Sequence, residues 1–249
     1  MGYSTDFFGK VQITPPLNAQ EVAYLTKFSE TRRMHLKQGP YFVSQPGYAG
    51  QEDGPDVVDY NEPPPGQPGL WCQWVPADDG AALGWNGAEK FYEAEAWMQY
   101  LVEHFLRPGA KAASSGDPQF AGFTFNHRVE GRILASGEEF PDLWRIDVAD
   151  NQVSTYRYEL GDEDLGRDGF DEDEDGDKDG ERAISLGGAL YTLGQNPDGG
   201  VEAIGAWLDS LDPSPSHALV GFLQDLAAVL PDPHREKLSR VVAAKARLH

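Results

Sequence analysis

Apolar and polar positions alternate with two different periods along this chain, and where the period changes, the elements change. From Lys10 to Thr14 every second side chain is apolar (Val11, Ile13), and Pro15-Pro16 end the run, which predicts a strand. Asn18 then stands three residues before Glu21, close to a capping box. Val22, Leu25 and Phe28 follow at helical spacing, so a helix is expected over 19–34. Leu70 to Val75 and Ala81 to Trp85 read as two strands joined by a turn at Asp78-Asp79-Gly80. Phe91, Ala94, Met98, Leu101 and Phe105 recur at three- and four-residue steps and predict a helix over 88–106. Three further strands are expected at about 129–135, 143–149 and 152–158, the last two joined by a tight turn at Asp150-Asn151.

The resulting order, β-α-β-β-α-β-β-β, predicts an α+β domain over 1–160. Its expected form is a mostly antiparallel sheet with two helices packed on one face, in the ferredoxin-like manner. Between the first helix and the first hairpin, residues 36–69 hold so much proline and glycine, ending in Glu62-Pro63-Pro64-Pro65-Gly66-Gln67-Pro68-Gly69, that no regular element is expected. Tyr41, Phe42, Val43, Tyr48, Val57, Val58 and Tyr60 lie in the same stretch, so it is expected to be packed and ordered.

Beyond residue 160 the pattern stops. Residues 161–182 hold twelve acids and three bases with only Leu165 and Phe170 as large apolar groups, and are expected to be a disordered acidic linker. Residues 183–249 return to helical spacing in three blocks: Val201, Ile204 and Leu208; then Leu219, Phe222, Leu223, Leu226 and Leu230; then Leu238, Val241 and Val242. Some 65 residues make a marginal bundle by themselves, so this tail is expected to dock on the first domain or on a partner.

Several runs of the first region resemble a family of uncharacterised proteins of bacteria and their phages. They are Gly2-Tyr3-Ser4-Thr5 with Phe7 and Gly9, Thr31-Arg32-Arg33-Met34, and Gly39-Pro40-Tyr41-Phe42-Val43. The longest is Asp59-Tyr60-Asn61 followed by Pro63-Pro64-Pro65-Gly66-Gln67-Pro68-Gly69-Leu70-Trp71-Cys72-Gln73-Trp74. Trp85-Asn86-Gly87 and Glu89-Lys90-Phe91-Tyr92 continue it. A weaker match covers Val129 to Glu138, where this chain has Glu130-Gly131 in place of an Asn-Gly pair. The resemblance covers about the first 155 residues and brings no reaction with it. It implies an accessory gene of a phage, prophage or defence locus.

Charge sharpens the picture. The 249 residues carry a net charge of −21, and such a surface repels phosphate backbones and attracts basic partners, so direct nucleic-acid binding is not expected and a basic protein partner is. Solubility or adaptation to salt is the plainer meaning of the same charge. One cysteine, Cys72, excludes an internal disulfide framework and fits a reducing compartment. No basic region or apolar run follows Met1 and no stretch approaches a membrane span, so a cytoplasmic location is expected.

Candidate chemistry is sparse. Arg32 and Arg33, followed by His35 and Lys37, complement a helix C-terminus, or else hold a phosphate or carboxylate together with Asp59, Asn61 and Gln67. On the predicted strand, Trp71 and Gln73 share one face and Cys72 and Trp74 the other. One face is core, and the second is either core too or a surface offering stacking and hydrogen bonds. Cys72 would need a base from His35, His104 or His127 to act as a nucleophile. The run from Asp171 meets the first four needs of a calcium loop (Asp171, Asp173, Asp175, Gly176). Lys178 at position eight and Arg182 at position twelve break it, leaving at best a loose site of Asp171, Asp173, Asp175 and Asp177. No phosphate-binding loop, nucleophile elbow, zinc pattern or other cofactor motif is present, and no cofactor is expected. Two function classes remain: an acidic interaction protein, such as an inhibitor, immunity protein or defence component, and a small-molecule or nucleotide-handling enzyme with a pocket near Arg32, Arg33, Asp59, Gln73 and Trp74.

Overall fold

The computed structural model describes residues 2–43, 54–161, 164, 185–211 and 215–246. The acidic stretch, with the loose calcium site expected at Asp171, Asp173, Asp175 and Asp177, lies outside these residues apart from Gly161 and Asp164. So does Tyr48.

The fold is α+β. Strands β1 (Thr5–Thr14), β4 (Trp74–Pro76), β5 (Ala82–Trp85), β6 (Arg128–Gly137), β7 (Leu143–Ala149) and β8 (Gln152–Arg157) form a six-stranded sheet in the order β4-β5-β1-β6-β7-β8. Helix α1 (Ala19–Glu30) follows β1, and α2 (Ala94–Leu101) follows β5. The strand β5 therefore lies between β1 and β4, antiparallel to both, with Val11 opposite Leu83 and Val75 opposite Gly84. Two short strands, β2 (His35–Leu36) and β3 (Val57–Asp59), pair antiparallel as a separate ribbon. That ribbon corrects the expectation of no regular element between 36 and 69: the valines at 57 and 58 suit a short pairing even among breakers.

By compactness the chain divides into two units. The first comprises residues 1–4, 9–133 and 146–155; the second comprises 5–8, 134–145 and 156–249.

In the first unit the core is aromatic. Phe28 and Trp97 are fully buried, and Tyr24 meets Phe105, Phe120 and Phe123 edge-on at 5.1–5.4 Å. Helix α1 starts where the sequence predicts, at a complete capping box: Asn18 Oδ1 accepts from the N–H groups of Gln20 and Glu21, and Glu21 accepts from the Asn18 N–H at 2.8 Å. It stops at Glu30 because Thr31 is extended and spends its hydroxyl on the Lys27 carbonyl. The second helix starts six residues later than its periodicity suggests, since Glu93 takes a left-handed φ of 54°. Its last turn, Val102–Leu106, widens to a π-helix. Gly80 has φ +69° in the β4–β5 turn, and a Cβ there would lie 2.4 Å from the Leu17 carbonyl oxygen.

In the second unit four helices pack: α3 (Leu186–Gln195), α4 (Pro197–Ser210), α5 (His217–Val229) and α6 (His234–Ala246). The sequence pattern shows the last three; α3 is additional, its glycines 187, 188 and 194 diluting the apolar period. Leu190, Leu193, Ile204, Leu208, Phe222, Leu226, Leu238 and Val242 share one buried cluster with Phe8, Leu134, Leu143 and Tyr158. Helices α3 and α4 approach so closely that a Cβ on Gly200 would stand 2.2 Å from the Leu193 Cα. Among the described residues no helix is long and apolar enough to cross a membrane.

Candidate functional site

The first unit carries a cleft of about 950 Å³ between the end of α1, the proline-rich segment 63–71 and the irregular segment 86–92 that precedes α2. Three local features build its walls. The end of α1 places Ser29 and Glu30 on one side. Segment 63–71 is anchored because the Leu70 carbonyl accepts from the Arg33 N–H at 2.9 Å. Segment 86–92 is shaped by Asn86, whose Oδ1 accepts from the Ala88 N–H at 2.9 Å, and by Gly87 at φ +79°. The Trp85 indole N–H pins this segment through the Ala88 carbonyl (3.2 Å) and Gln73 Oε1 (3.1 Å). Because the Leu70 carbonyl is taken by the Arg33 N–H, the expected strand 70–75 is replaced by the shorter β4, starting at Trp74.

The residues singled out from sequence divide into two groups. Trp71 and Gln73 line the cleft. Gln73 is buried and committed on both sides, its Nε2 donating to the Lys90 carbonyl (3.3 Å) while Oε1 accepts from Trp85. Arg32 stands beside it rather than in it: its guanidinium lies 4.2 Å over the Tyr60 ring and 6.0 Å over the Trp71 ring, and donates to the Tyr60 carbonyl and to Asn61 Oδ1. Asp59 shapes the adjoining turn by accepting from the N–H groups of Asn61 and Glu62.

Arg33, Gln67 and Trp74 are in the interior. Arg33 is 2% exposed, lies 4.1 Å over the Phe28 ring, and donates to the Pro40 carbonyl (2.7 Å), the Phe42 carbonyl (2.8 Å) and Gln67 Oε1 (3.3 Å). Burial pushes its pKa down from the usual arginine value. Gln67 Nε2 donates to Pro40 O and Tyr100 Oη, so this glutamine stitches loop to helix. Trp74 spends its indole N–H on the Ala94 carbonyl. Cys72 is wholly buried, with Sγ 3.9 Å from the Trp74 carbonyl, and burial raises its thiol to about 12, which suits packing rather than nucleophilic attack.

Glu30, Asn86, Glu89 and Tyr92 also line the cleft, and the sequence pattern does not single them out as site residues. The signal was the Asn-Gly pair at 86–87, which breaks any helix proposed to begin at 88 and leaves the following segment free to form a wall. Tyr92 is 56% exposed there. Lys90 lies in the same wall, with its ammonium bonded to the Gly2 carbonyl.

Two other polar clusters of this unit have a structural use. Glu21 and His127 are each 1% exposed. Glu21 Oε1 accepts from the Thr124 N–H and hydroxyl and lies 3.2 Å from His127 Nε2, while His127 Nδ1 donates to the Pro15 carbonyl. This Thr–His–Glu set has the residue types of a triad; its histidine and carboxylate are buried, Thr124 is exposed, and its bonds tie the start of α1 to segment 124–127. His104 stacks on Tyr100 at 3.8 Å with Nδ1 2.8 Å from Tyr41 Oη; burial, aided by nearby Lys111 and opposed by Glu103, lowers its pKa to about 4. Among the described residues, no group of three or more His, Cys, Asp or Glu is placed to hold a metal ion.

Compared with models of protein families, with curated proteins and with solved structures, the chain matches none.

Proposed function

We propose that this protein is an acidic binding protein that engages a basic protein partner, with the cleft of the first unit as its contact site. One observation carries the reading. Within a chain of net charge −21, the cleft presents two exposed carboxylates, Glu30 and Glu89, that have no hydrogen-bonding or ion-pair partner among the described residues. Aromatic Trp71 and Tyr92 line the same cleft, and interfaces favour such side chains. An inhibitor, immunity protein or defence component of a phage, prophage or defence locus is the setting that the resemblance of the first 155 residues supports.

A small-molecule or nucleotide-handling enzyme is the second reading, and the volume of the cleft favours it, since about 950 Å³ lies within the range of small-molecule sites. Of the groups expected to serve such an enzyme, Arg33 and Trp74 lie inside the core and Gln73 is committed to Trp85 and Lys90. The test is retention of proteins from host lysate on the immobilised chain at low and high salt. A basic protein held at low salt and released at high salt supports the proposal. Retention of none, with a small molecule found bound beside Trp71, overturns it in favour of the enzyme.

A further inference from the structure

We infer that the buried indole N–H of Trp97 is a concealed donor of the cleft, and that it takes a main-chain carbonyl of an extended segment of the basic partner through a gap in the wall at Gly69. The inference rests on the binding reading above and names the group that the cleft selects.

Trp97 supplies the first observation. It is fully buried, edge-on to Phe28 and Tyr100 with ring centroids 6.0 and 5.5 Å away, and its Nε1 has no hydrogen-bond partner among the described residues. An indole has a single polar atom, so the whole hydrogen-bonding capacity of this side chain is unused, a costly state for a buried donor. Trp74 and Trp85 show the ordinary outcome in the same unit. Their N–H groups are spent on the Ala94 carbonyl and on Gln73 and Ala88.

Gly69 supplies the second observation and connects that donor to the cleft, whose wall it helps to form. Outside its chain neighbours, a Cβ added to Gly69 would meet one heavy atom within 4 Å among the described residues: Trp97 Nε1, at 3.7 Å. The missing side chain thus leaves open space in the wall with the unpaired nitrogen at its floor. An oxygen lodged about 0.8 Å deeper than that Cβ position reaches the ~2.9 Å of an N–H···O bond.

Charge and shape select the acceptor. Glu30 and Glu89 outnumber Lys90 along the cleft, in a chain of net charge −21, so a neutral carbonyl is favoured over a carboxylate or phosphate. A cleft of about 950 Å³ far exceeds one carbonyl group, and its prolines, Trp71 and Tyr92 give its walls apolar surface. Grooves of this kind hold extended chain by main-chain hydrogen bonds and by pockets for side chains. The occupant is therefore an extended segment, and the charge of this chain makes its owner basic.

The test uses N-methylacetamide, the peptide unit in its smallest form, titrated into the isotopically labelled full chain while the indole N–H signals are followed by NMR. The Trp97 signal is identified by its loss in Trp97→Phe or, should that variant not fold, by its proximity to Gly69 in a nuclear Overhauser spectrum. It should move downfield and saturate. Acetate, an anionic acceptor of similar size, should bind at least about threefold more weakly because the carboxylates repel it. Gly69→Ala fills the gap. Its Cβ contact at 3.7 Å is ordinary and its backbone lies outside the left-handed region, so the melting temperature should not fall. Its affinity for N-methylacetamide should drop by at least about fivefold, as expected when a buried donor loses its acceptor. A Trp97 signal that does not move, acetate binding as tightly as the amide, or unaltered affinity in Gly69→Ala each overturns the inference. Failure here is separable from failure of the wider reading. A basic protein retained equally by the wild type and G69A sinks the concealed donor and leaves the binding function standing. Saturation of the Trp97 signal with no basic protein retained does the reverse.

Discussion

Arg33 and Arg32 are neighbours with opposite fates. Arg33 replaces hydration by two backbone carbonyls, Gln67 and the face of Phe28, all inside the first unit, and Arg32 stays at the surface over Tyr60. The sequence pairs them as one basic cluster because composition says nothing of which way adjacent side chains leave a helix end. Arg33→Met roughly keeps volume but deprives the Phe42 carbonyl and Gln67 Oε1 of their buried donor, and should cost about 3 kcal/mol in urea unfolding. A loss below about 0.5 kcal/mol would show that this network adds little to stability. Glu21 allows a pH test. Burial raises its pKa, but the hydrogen bonds from Thr124, Asn18 and His127 outweigh burial and hold the carboxyl below its ordinary value. A carboxyl depressed in the folded state stabilises it above the unfolded pKa, and that contribution disappears as pH falls through the folded value. Stability should therefore decline from about pH 4.5 downward, and Glu21→Gln should be less stable at neutral pH with a flatter acid limb. Parallel acid limbs for wild type and variant would contradict the assignment.

At the scale of elements, local chemistry made much of the fold legible. The Asn18–Glu21 spacing marks the start of α1, and Asp150 and Asn151 adopt φ values of 50° and 64° in the tight turn that their identities suggest. Asn18→Ala removes the cap and the bond from Asn18 Nδ2 to the Gly122 carbonyl, and should cost about 1–2 kcal/mol. Thermal melting reads this directly, and an unchanged midpoint would show that the cap is dispensable. Where periodicity misled, a competing bond explains it. The apolar spacing from Phe91 to Phe105 continues past both ends of α2, yet Asn86, Gly87 and Glu93 hold the preceding segment irregular, and the far end widens into a π-turn. That irregular segment is one wall of the cleft, so the departure from pattern coincides with the candidate site. The aromatic runs 71–74 and 85–92 were visible in the sequence. Their convergence was not, because it depends on the indole of Trp85 reaching both Gln73 and Ala88.

For the whole molecule, charge is the quantity that links structure to the proposed role. A net charge of −21 creates a field that accelerates encounter with a basic partner, and salt shortens its reach to ~10 Å at 0.1 M. A short-range apolar contact alone would have no such dependence. In the proposed reading, the cleft lined by Glu30, Glu89, Trp71 and Tyr92 is where that attraction becomes a specific contact. The most direct measurement is the association rate of the retained basic partner as ionic strength rises, for the wild type and for a variant with Glu30, Asp78 and Glu89 changed to lysine. The account predicts an on-rate that falls by about tenfold or more between low and high salt, and a variant whose on-rate drops more than its off-rate rises. An on-rate independent of salt, or a variant changed only in its off-rate, would contradict it.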